Sequence, residues 1–536
     1  MLILVPPTLL LLGALAIVIT DKSKPKYSRS WLIAMTTTLV AWIIIGVFRL
    51  YLPTTVNLLD WKPEELFFAS PKLSIDYLTW PYAMALITIC LASILTDTAR
   101  SQQESNPTSW AASMSITAIG LIALLAGNPL TMVMAWSFVD IVELVYFLTS
   151  QPKGKFTQRM ISAFAVRLLS IVAFIWATMV GWMEVGSFDF TEMPSRAGIY
   201  FLFAAGLRLG VLPLNVPFFE EPELNKGSGT LLRLAPVASS LGVIAYLPVD
   251  ALSIRPFWIL PIRILTTLSV LYASIMWASR DSETEARPYW IIALAGLAIT
   301  SALNGMAAYS RAWGVALLLS GSLVFLFHPR IKRLRFLLLI GMLGIIALPY
   351  TAAASGWMGI IGQSFNFWSV MMILAHAILI LGYIRYILTA RSATTGLETW
   401  AKITFPLGFI LIIQTNIALG IVGWPGVFTS ELWLPSIISL AIVCATVIAF
   451  WRLNISPYEI QFSENNKTIT RIRTISHRIQ EVFSFQWFYK FLLAGYRLLS
   501  QVFNTIISIL EGEGGILWSI VLLILIITII FSQAGG

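Results

Sequence analysis

Apolar runs of about 20 residues recur along this chain from one end to the other, and they limit the folds open to it. Each run is long enough to cross the hydrocarbon core of a bilayer as an α-helix. Inside lipid the backbone must satisfy its own hydrogen bonds, which only helices and closed barrels achieve. The runs therefore predict an all-α polytopic membrane protein with about 16 transmembrane helices, the last of them at residues 516–532.

The low content of charged residues excludes a soluble protein of this size. Only 11% of the residues are charged and 58% are hydrophobic, whereas globular domains carry about 25% charged residues. The net charge of +9 implies no nucleic-acid partner, because the basic residues cluster in the loops of one predicted side.

Those loops also predict the orientation, since Lys and Arg concentrate in cytoplasmic loops. The pattern places the amino terminus outside and the polar tail in the cytoplasm, and we expect the plasma membrane of a prokaryote. The basic residues on the cytoplasmic side include Lys22, Lys24, Lys26, Arg29, Lys153, Lys155, Arg280, Arg330, Lys332, Arg333 and Arg391.

The last part of the chain has a different pattern from the rest. Phe483, Phe491 and Leu498 recur at helical spacing among polar residues such as Lys490 and Arg497, which favours a helix lying in the membrane interface over another crossing. The predicted organisation is a transmembrane bundle (1–453), a cytoplasmic polar linker (454–481), a lateral amphipathic helix (482–511) and a C-terminal transmembrane helix (512–536).

Two of the predicted helices contain a proline that interrupts an apolar run, at Pro213 and at Pro349. Proline removes a backbone hydrogen bond and breaks or kinks a helix. Broken helices at corresponding places in two halves are typical of transporters built from inverted repeats. We therefore predict two broken helices in inverted-repeat halves, with an ordinary packing kink as the alternative at either proline.

Short motifs in these regions resemble those of a known family. The residues concerned are Leu73–Asp76 before the third helix, Asn128–Trp136, Pro213–Leu214 with the following Gly229–Ala235, Gly321–Ser322 with His328, and Ala347–Thr351. In this order they are similar to the antiporter-like subunits of respiratory complex I, photosynthetic NDH-type complexes, membrane hydrogenases and Mrp cation/proton antiporters. The number of crossings and the lateral helix are most like the L-type subunit.

The titratable residues that the resemblance implies are replaced in this chain. The fifth-helix glutamate is Ser137, the seventh-helix lysine is Arg208, and the histidines fall at Asn215 and Arg233. The later lysine falls near Gly314 or Val315, and the twelfth-helix lysine or glutamate falls near Trp357. Arginine stays charged near neutral pH, so Arg208 is a fixed charge where the family has a lysine that can release its proton. The resemblance therefore implies that the chain keeps the scaffold of the family but has a degenerate proton path.

Asp140 and Glu143 are the acidic residues that remain near this path, three residues apart on one predicted helix. They can pair with Arg208 or Arg167, because charges at membrane depth need partners, and Arg233 is a further candidate for the ion path or ion pair. A fixed ion pair and a displaced proton site are both open. His376 is predicted to be a hydrogen-bonded core histidine and Glu431 an interfacial loop residue.

No motif for a nucleotide, flavin, metal or iron–sulfur cluster occurs, and Cys90 and Cys444 are predicted to be buried thiols. We expect no cofactor, no catalytic residue and no quinone site on this chain.

The function predicted is that of a non-catalytic membrane-arm subunit in a complex I-like NADH:quinone oxidoreductase or related redox complex, with impaired proton translocation. Its partners would be other membrane subunits and lipid. The alternatives are an active proton or cation antiporter subunit using Asp140 and Glu143, a purely structural docking subunit, and an independent secondary transporter.

Overall fold

The computed structural model describes residues 2–23, 27–58, 69–99, 107–150, 158–215, 226–251, 256–280, 283–326, 335–362, 365–389, 401–429 and 432–452, with ten separate residues between 494 and 527. Its contacts divide the chain into two compact units, Met1–Ser463 and Glu464–Gly536. The ten described residues of the second unit are helical. The predicted lateral helix and last crossing otherwise lie outside the described residues.

The described part of the first unit consists almost entirely of α-helices. Eleven of the described helices are long and apolar enough to span a membrane, so the protein is an all-α polytopic membrane protein. The helices are α1 Val5–Ser23, α2 Tyr27–Phe48, α3 Trp80–Thr96, α4 Pro107–Leu124, α5 Pro129–Ser150, α6 Gln158–Val185, α7 Ser195–Arg208, α8 Lys226–Ala245, α9 Pro256–Ser279, α10 Glu283–Leu303, α11 Ser310–Leu326, α12 Arg335–Ile346, α13 Gly356–Ile361, α14 Phe367–Thr389, α15 Ala401–Val422 and α16 Leu434–Arg452.

Helices α3, α8, α10 and α11 form the centre of the bundle and are buried along nearly their whole length. A helix that is apolar on all sides is expected to be buried in this way. Small residues allow close approach: a Cβ on Gly296 of α10 would lie 2.2 Å from the Val270 Cγ2 of α9.

Several of the surrounding helices leave an apolar face exposed. On α6 this face carries Leu168, Val172, Ile175 and Met179 at helical spacing, as expected for contact with lipid or with a neighbouring subunit. Cys444 lies exposed on α16, so the prediction that both thiols are buried holds for Cys90 and was wrong for Cys444.

A short antiparallel sheet at one end of the bundle pairs β1 (Thr54–Asn57) with β2 (Lys72–Ile75), which the all-α prediction did not include. Asp76 follows β2, and its carboxylate accepts two backbone N–H groups at the start of α3, at 2.9 and 3.0 Å. Tyr246, at the end of α8, donates to the same carboxylate at 2.7 Å. Burial, with a further contribution from the Asp76 carboxylate, raises the pKa of Tyr246 well above its usual range. The aspartate thus ties α3 to the end of α8.

The break predicted at Pro213 is present. Helix α7 ends at Arg208 and gives way to turns through residue 214. Gly210 adopts a φ of +81°, which favours glycine. The Gly206 carbonyl accepts from the backbone of Val211 and Leu212, at 2.8 and 3.1 Å, so part of the backbone freed by the break is hydrogen-bonded within the segment.

The break predicted at Pro349 is also present. Helix α12 ends at Ile346, and helical structure resumes at Ala352 before α13. Ala347 and Tyr350 adopt φ values of 60° and 65°, a region that non-glycine residues rarely enter. Both helix breaks are therefore confirmed, whereas the inverted-repeat relation of the halves stays a prediction.

Candidate ion-pair site

One face of α5 carries the side chains on which the candidate site is built. Trp136, Asp140 and Glu143 follow one another at spacings of four and three residues, which places them on the same side of an α-helix. All three are buried, with Asp140 only 2% exposed. Carboxylates buried at this depth need cationic partners.

Arg208 is the principal partner of Asp140. Its Nη1 donates to Asp140 Oδ2 at 2.8 Å and its Nη2 to Oδ1 at 2.5 Å. Two parallel bonds of this kind give the planar guanidinium a fixed orientation. Arg208 is also the last residue of α7, where a cation is favoured by the partial negative charge of the helix end. The break in α7 therefore helps to position the charge.

Arg167 of α6 links the two acidic residues. Its Nη1 donates to Glu143 Oε2 and lies 3.5 Å from Asp140 Oδ1. Arg233 of α8 is buried as well and lies close enough to act on the charge of Arg167. All five residues predicted as ion-path or ion-pair candidates thus belong to one cluster, which we call the charge cluster: Asp140, Glu143, Arg167, Arg208 and Arg233.

The indole ring of Trp136 packs against the guanidinium of Arg208. The Arg208 Cζ lies 4.6 Å from the centroid of the indole ring, within the range of a cation–π interaction. The indole N–H donates to Ser239 Oγ of α8 at 2.9 Å, and the ring packs against Phe174 of α6 at 4.8 Å. The ring therefore joins three helices around the ion pair.

The cavity beside Glu143 has little space for water. A cavity of about 10 Å³ adjoins Glu143 and is lined by apolar side chains, among them Ile116, Val139 and Leu232. That volume is at the lower limit for a single water molecule.

Apart from Arg208 and Arg233, the positions at which the resemblance implies a titratable residue carry side chains with other partners or are covered by aromatic rings. Ser137 donates to the Val133 carbonyl of its own helix, and Asn215 donates to the Pro213 carbonyl in the broken segment. A Cβ on Gly314 would lie 2.5 Å from the Tyr82 ring, so tyrosine fills that position.

Trp357 lies in the second broken segment, against Trp313 at a centroid distance of 5.0 Å. His376 is buried between these two rings and bonds to Ile345 and Ser439, as predicted for a core histidine. Glu431 lies outside the described residues.

Sequence reasoning did not single out Tyr82, Ser239 or Ser439 as contributors to these sites. No motif marks them, because each acts across helices that are distant in the chain.

Within the described residues no group of three His, Cys, Asp or Glu side chains could hold a metal ion.

Neither a protein-family model nor a curated protein matches this sequence. Solved structures do match. A chain of the membrane-bound sulfane sulfur reductase, an archaeal respiratory membrane complex, superposes with a TM-score of 0.68 at 14% identity, over 98% of this chain and 99% of that one.

Two further membrane complexes contain chains with the same fold. A chain of the Mrp complex from Dietzia sp. DQ12-45-1b gives a TM-score of 0.66 at 15% identity, with 98% of this chain aligned to 63% of that longer one. A chain of respiratory complex I from Thermus thermophilus gives 0.59 at 12% identity, over 80% of this chain and 100% of that one. This integral membrane protein therefore has the fold of membrane subunits from respiratory and Mrp complexes, in agreement with the resemblance of its motifs.

Proposed function

We propose that this chain is an antiporter-like membrane-arm subunit of a redox-driven membrane complex, and that its charge cluster is a fixed structural element. The shared fold supports the first part. Full-length alignment with a subunit of a respiratory complex favours assembly with other membrane subunits over an independent transporter.

The bidentate bond between Arg208 and Asp140 carries the second part. A residue that relays protons must gain and lose them near the working pH, which a buried lysine can do and an arginine effectively cannot. Asp140 is held by Arg208 and approached by Arg167. Both oxygens of this carboxylate therefore face guanidinium groups, an arrangement that favours a fixed ion pair.

The covered family positions support the same conclusion. Tyr82 fills the space beside Gly314, and Trp357 packs against Trp313. Aromatic rings at these places exclude both a titratable side chain and the water that would connect it to its neighbours.

The second candidate is a proton or cation translocator that uses Asp140 and Glu143. One observation favours it: the Arg167 Nη1 lies near both carboxylates, so one guanidinium could shift between them. In that case Glu143, which borders the small cavity, would be the exchanging group.

Proton uptake into vesicles, measured per assembled complex, tests the two candidates with Arg208→Ala. Leaving Asp140 without its main partner should lower the amount of folded subunit, since an uncompensated buried charge costs ~3–5 kcal/mol. Proton uptake per remaining complex should be unchanged.

The matched control is the double variant Asp140→Ala/Arg208→Ala, which removes both charges together. It should restore part of the assembly lost in Arg208→Ala. Normal assembly of Arg208→Ala with a clear loss of proton uptake would instead support the translocating candidate.

A further inference from the structure

Each ring nitrogen of His376 faces an oxygen atom. Nε2 lies 2.7 Å from the backbone oxygen of Ile345, at the end of α12, and Nδ1 lies 3.0 Å from the Ser439 Oγ of α16. A carbonyl oxygen only accepts hydrogen bonds, so Nε2 carries a proton whether the ring is neutral or charged. The state of Nδ1 depends on Ser439.

The Ser439 hydroxyl has two alternative directions. Its Oγ also lies 3.0 Å from the Ser436 carbonyl oxygen, and it has a single proton to donate. Directed at Nδ1, the hydroxyl donates to a neutral imidazole. Directed at Ser436, it leaves its lone pairs facing Nδ1, which can then carry a proton and donate it. Both protonation states keep every hydrogen bond of the ring without movement of heavy atoms.

Two features of the surroundings favour a charged ring and act against the burial that disfavours it. Ile345 lies in the last turn of α12, where the carbonyl groups carry the partial negative charge of the helix end. The rings of Trp313 and Trp357 lie 5.5 and 5.2 Å from the imidazole centroid, within the distance at which an indole attracts a cation.

The hydrogen bonds and ring contacts of His376 within the described residues are all with these four neutral groups. The charged side chains on the helices packed against α14 contact other groups. Arg263 donates to Asn304, Arg287 to Glu283, and Arg311 to the Tyr77 carbonyl. Glu285 pairs with Arg280, and Arg335 and Arg452 are the first residue of α12 and the last of α16. On α14 itself, Arg385 donates to the Ala278 and Arg280 carbonyls.

We propose that His376 is a proton-binding residue of the second broken helix, taking a proton at Nδ1 from water while the Ser439 hydroxyl turns to the Ser436 carbonyl. Release returns the proton to water and turns the hydroxyl back. The charged ring binds the Ile345 carbonyl more strongly than the neutral ring does, so protonation tightens the hold on the end of α12. This site lies outside the charge cluster and goes beyond the function proposed above.

The test uses the full chain in lipid nanodiscs with His376 as its only histidine. The sequence has 3 histidines, so His328→Gln/His477→Gln leaves one, and ¹⁵N-histidine labelling then reports a single ring. Between pH 8 and pH 5 we expect its ¹⁵N signals to change from the neutral ring, protonated at Nε2, to the doubly protonated ring. A neutral spectrum across that range, in protein that remains folded by gel filtration, overturns the proposal.

Ser439→Ala tests the hydroxyl itself. Without an acceptor for the proton on Nδ1, the midpoint of the titration should fall by about one pH unit. Ser436→Ala is the matched control, because it keeps the carbonyl that receives Ser439 and removes only the hydroxyl bonded to Ala347, so its midpoint should stay in place. A midpoint unmoved by Ser439→Ala would contradict the reversal of the hydroxyl.

Discussion

At the scale of single residues, Gly314 and Tyr82 show how side chains fill the space between the central helices of this bundle. Tyr82 is fully buried in α3, and its ring occupies the volume that any side chain at position 314 of α11 would need. The two residues are complementary, because a larger residue at one position requires a smaller one at the other.

We predict that Gly314→Ala destabilises the folded subunit, by about 1–3 kcal/mol for an overpacked core. The control is Gly46→Ala in α2, where a Cβ has no neighbour within 4 Å and where replacing a helical glycine should stabilise by about 0.5–1 kcal/mol. Thermal unfolding followed by gel filtration measures both. Equal stability of the two variants would show that the Tyr82 ring can move aside. If the ring stays in place, adding Tyr82→Phe to Gly314→Ala should relieve part of the strain, because it removes the hydroxyl group close to the new Cβ.

The sequence indicates which charged residues belong to the site better than it indicates their pairing. Asp140 and Glu143 share a helix face, so their proximity follows from spacing alone. Whether Arg208 or Arg167 binds Asp140 depends on where α7 breaks and how α6 is rotated, and both depend on tertiary packing. The contributions of Trp136, Ser239 and Tyr82 likewise come from other helices and have no local signal.

At the scale of helices, the two broken elements show why a proline alone predicts little. Pro236, Pro261 and Pro406 lie within continuous helices, whereas the helices at Pro213 and Pro349 end. The first break coincides with glycines at 206 and 210 that accept a tight turn. The second coincides with a close approach of α15, where a Cβ on Gly420 would lie 2.5 Å from the Thr351 backbone. Whether a proline kinks a helix or ends it therefore depends on the hydrogen-bond partners available to the backbone groups that the proline frees.

We predict that Ala347→Gly is less destabilising than Ala354→Gly, by about 1–2 kcal/mol. Both alanines are buried and both variants lose one methyl group, but only Ala347 has a positive φ, at 60°. Left-handed backbone disfavours residues with a Cβ by about 1–2 kcal/mol. Unfolding in a denaturing detergent series compares the two variants, and equal losses would show that the turn at Ala347 is unstrained.

At the scale of the whole molecule, the outer helices present large apolar faces, and the chain continues beyond the described bundle. The segment at 482–510 has an apolar stripe of its own, which the sequence predicts to lie along a membrane surface or other helices. If it docks on a neighbouring subunit, it contributes to assembly without taking part in transport.

We predict that deleting residues 482–510 releases the subunit from its complex in mild detergent, as measured by co-purification and mass spectrometry. Deleting residues 464–467 is the control, since it shortens the polar linker and leaves the amphipathic segment intact. Full retention of the assembly after the longer deletion would contradict a docking role. Recovery of the control variant without any partner subunit would favour an independent transporter.

The order of the charge cluster along the chain has a consequence for biogenesis. Asp140 leaves the ribosome first, Arg167 follows 27 residues later, and Arg208 comes 68 residues after Asp140. At ordinary rates of synthesis Arg208 trails Arg167 by about 2–8 s. During that interval Arg167 is the one arginine of the charge cluster already present to neutralise the two acidic residues of α5. We therefore expect the arginine that bridges them in the finished protein also to assist the entry of α5 and α6 into the bilayer before α7 exists.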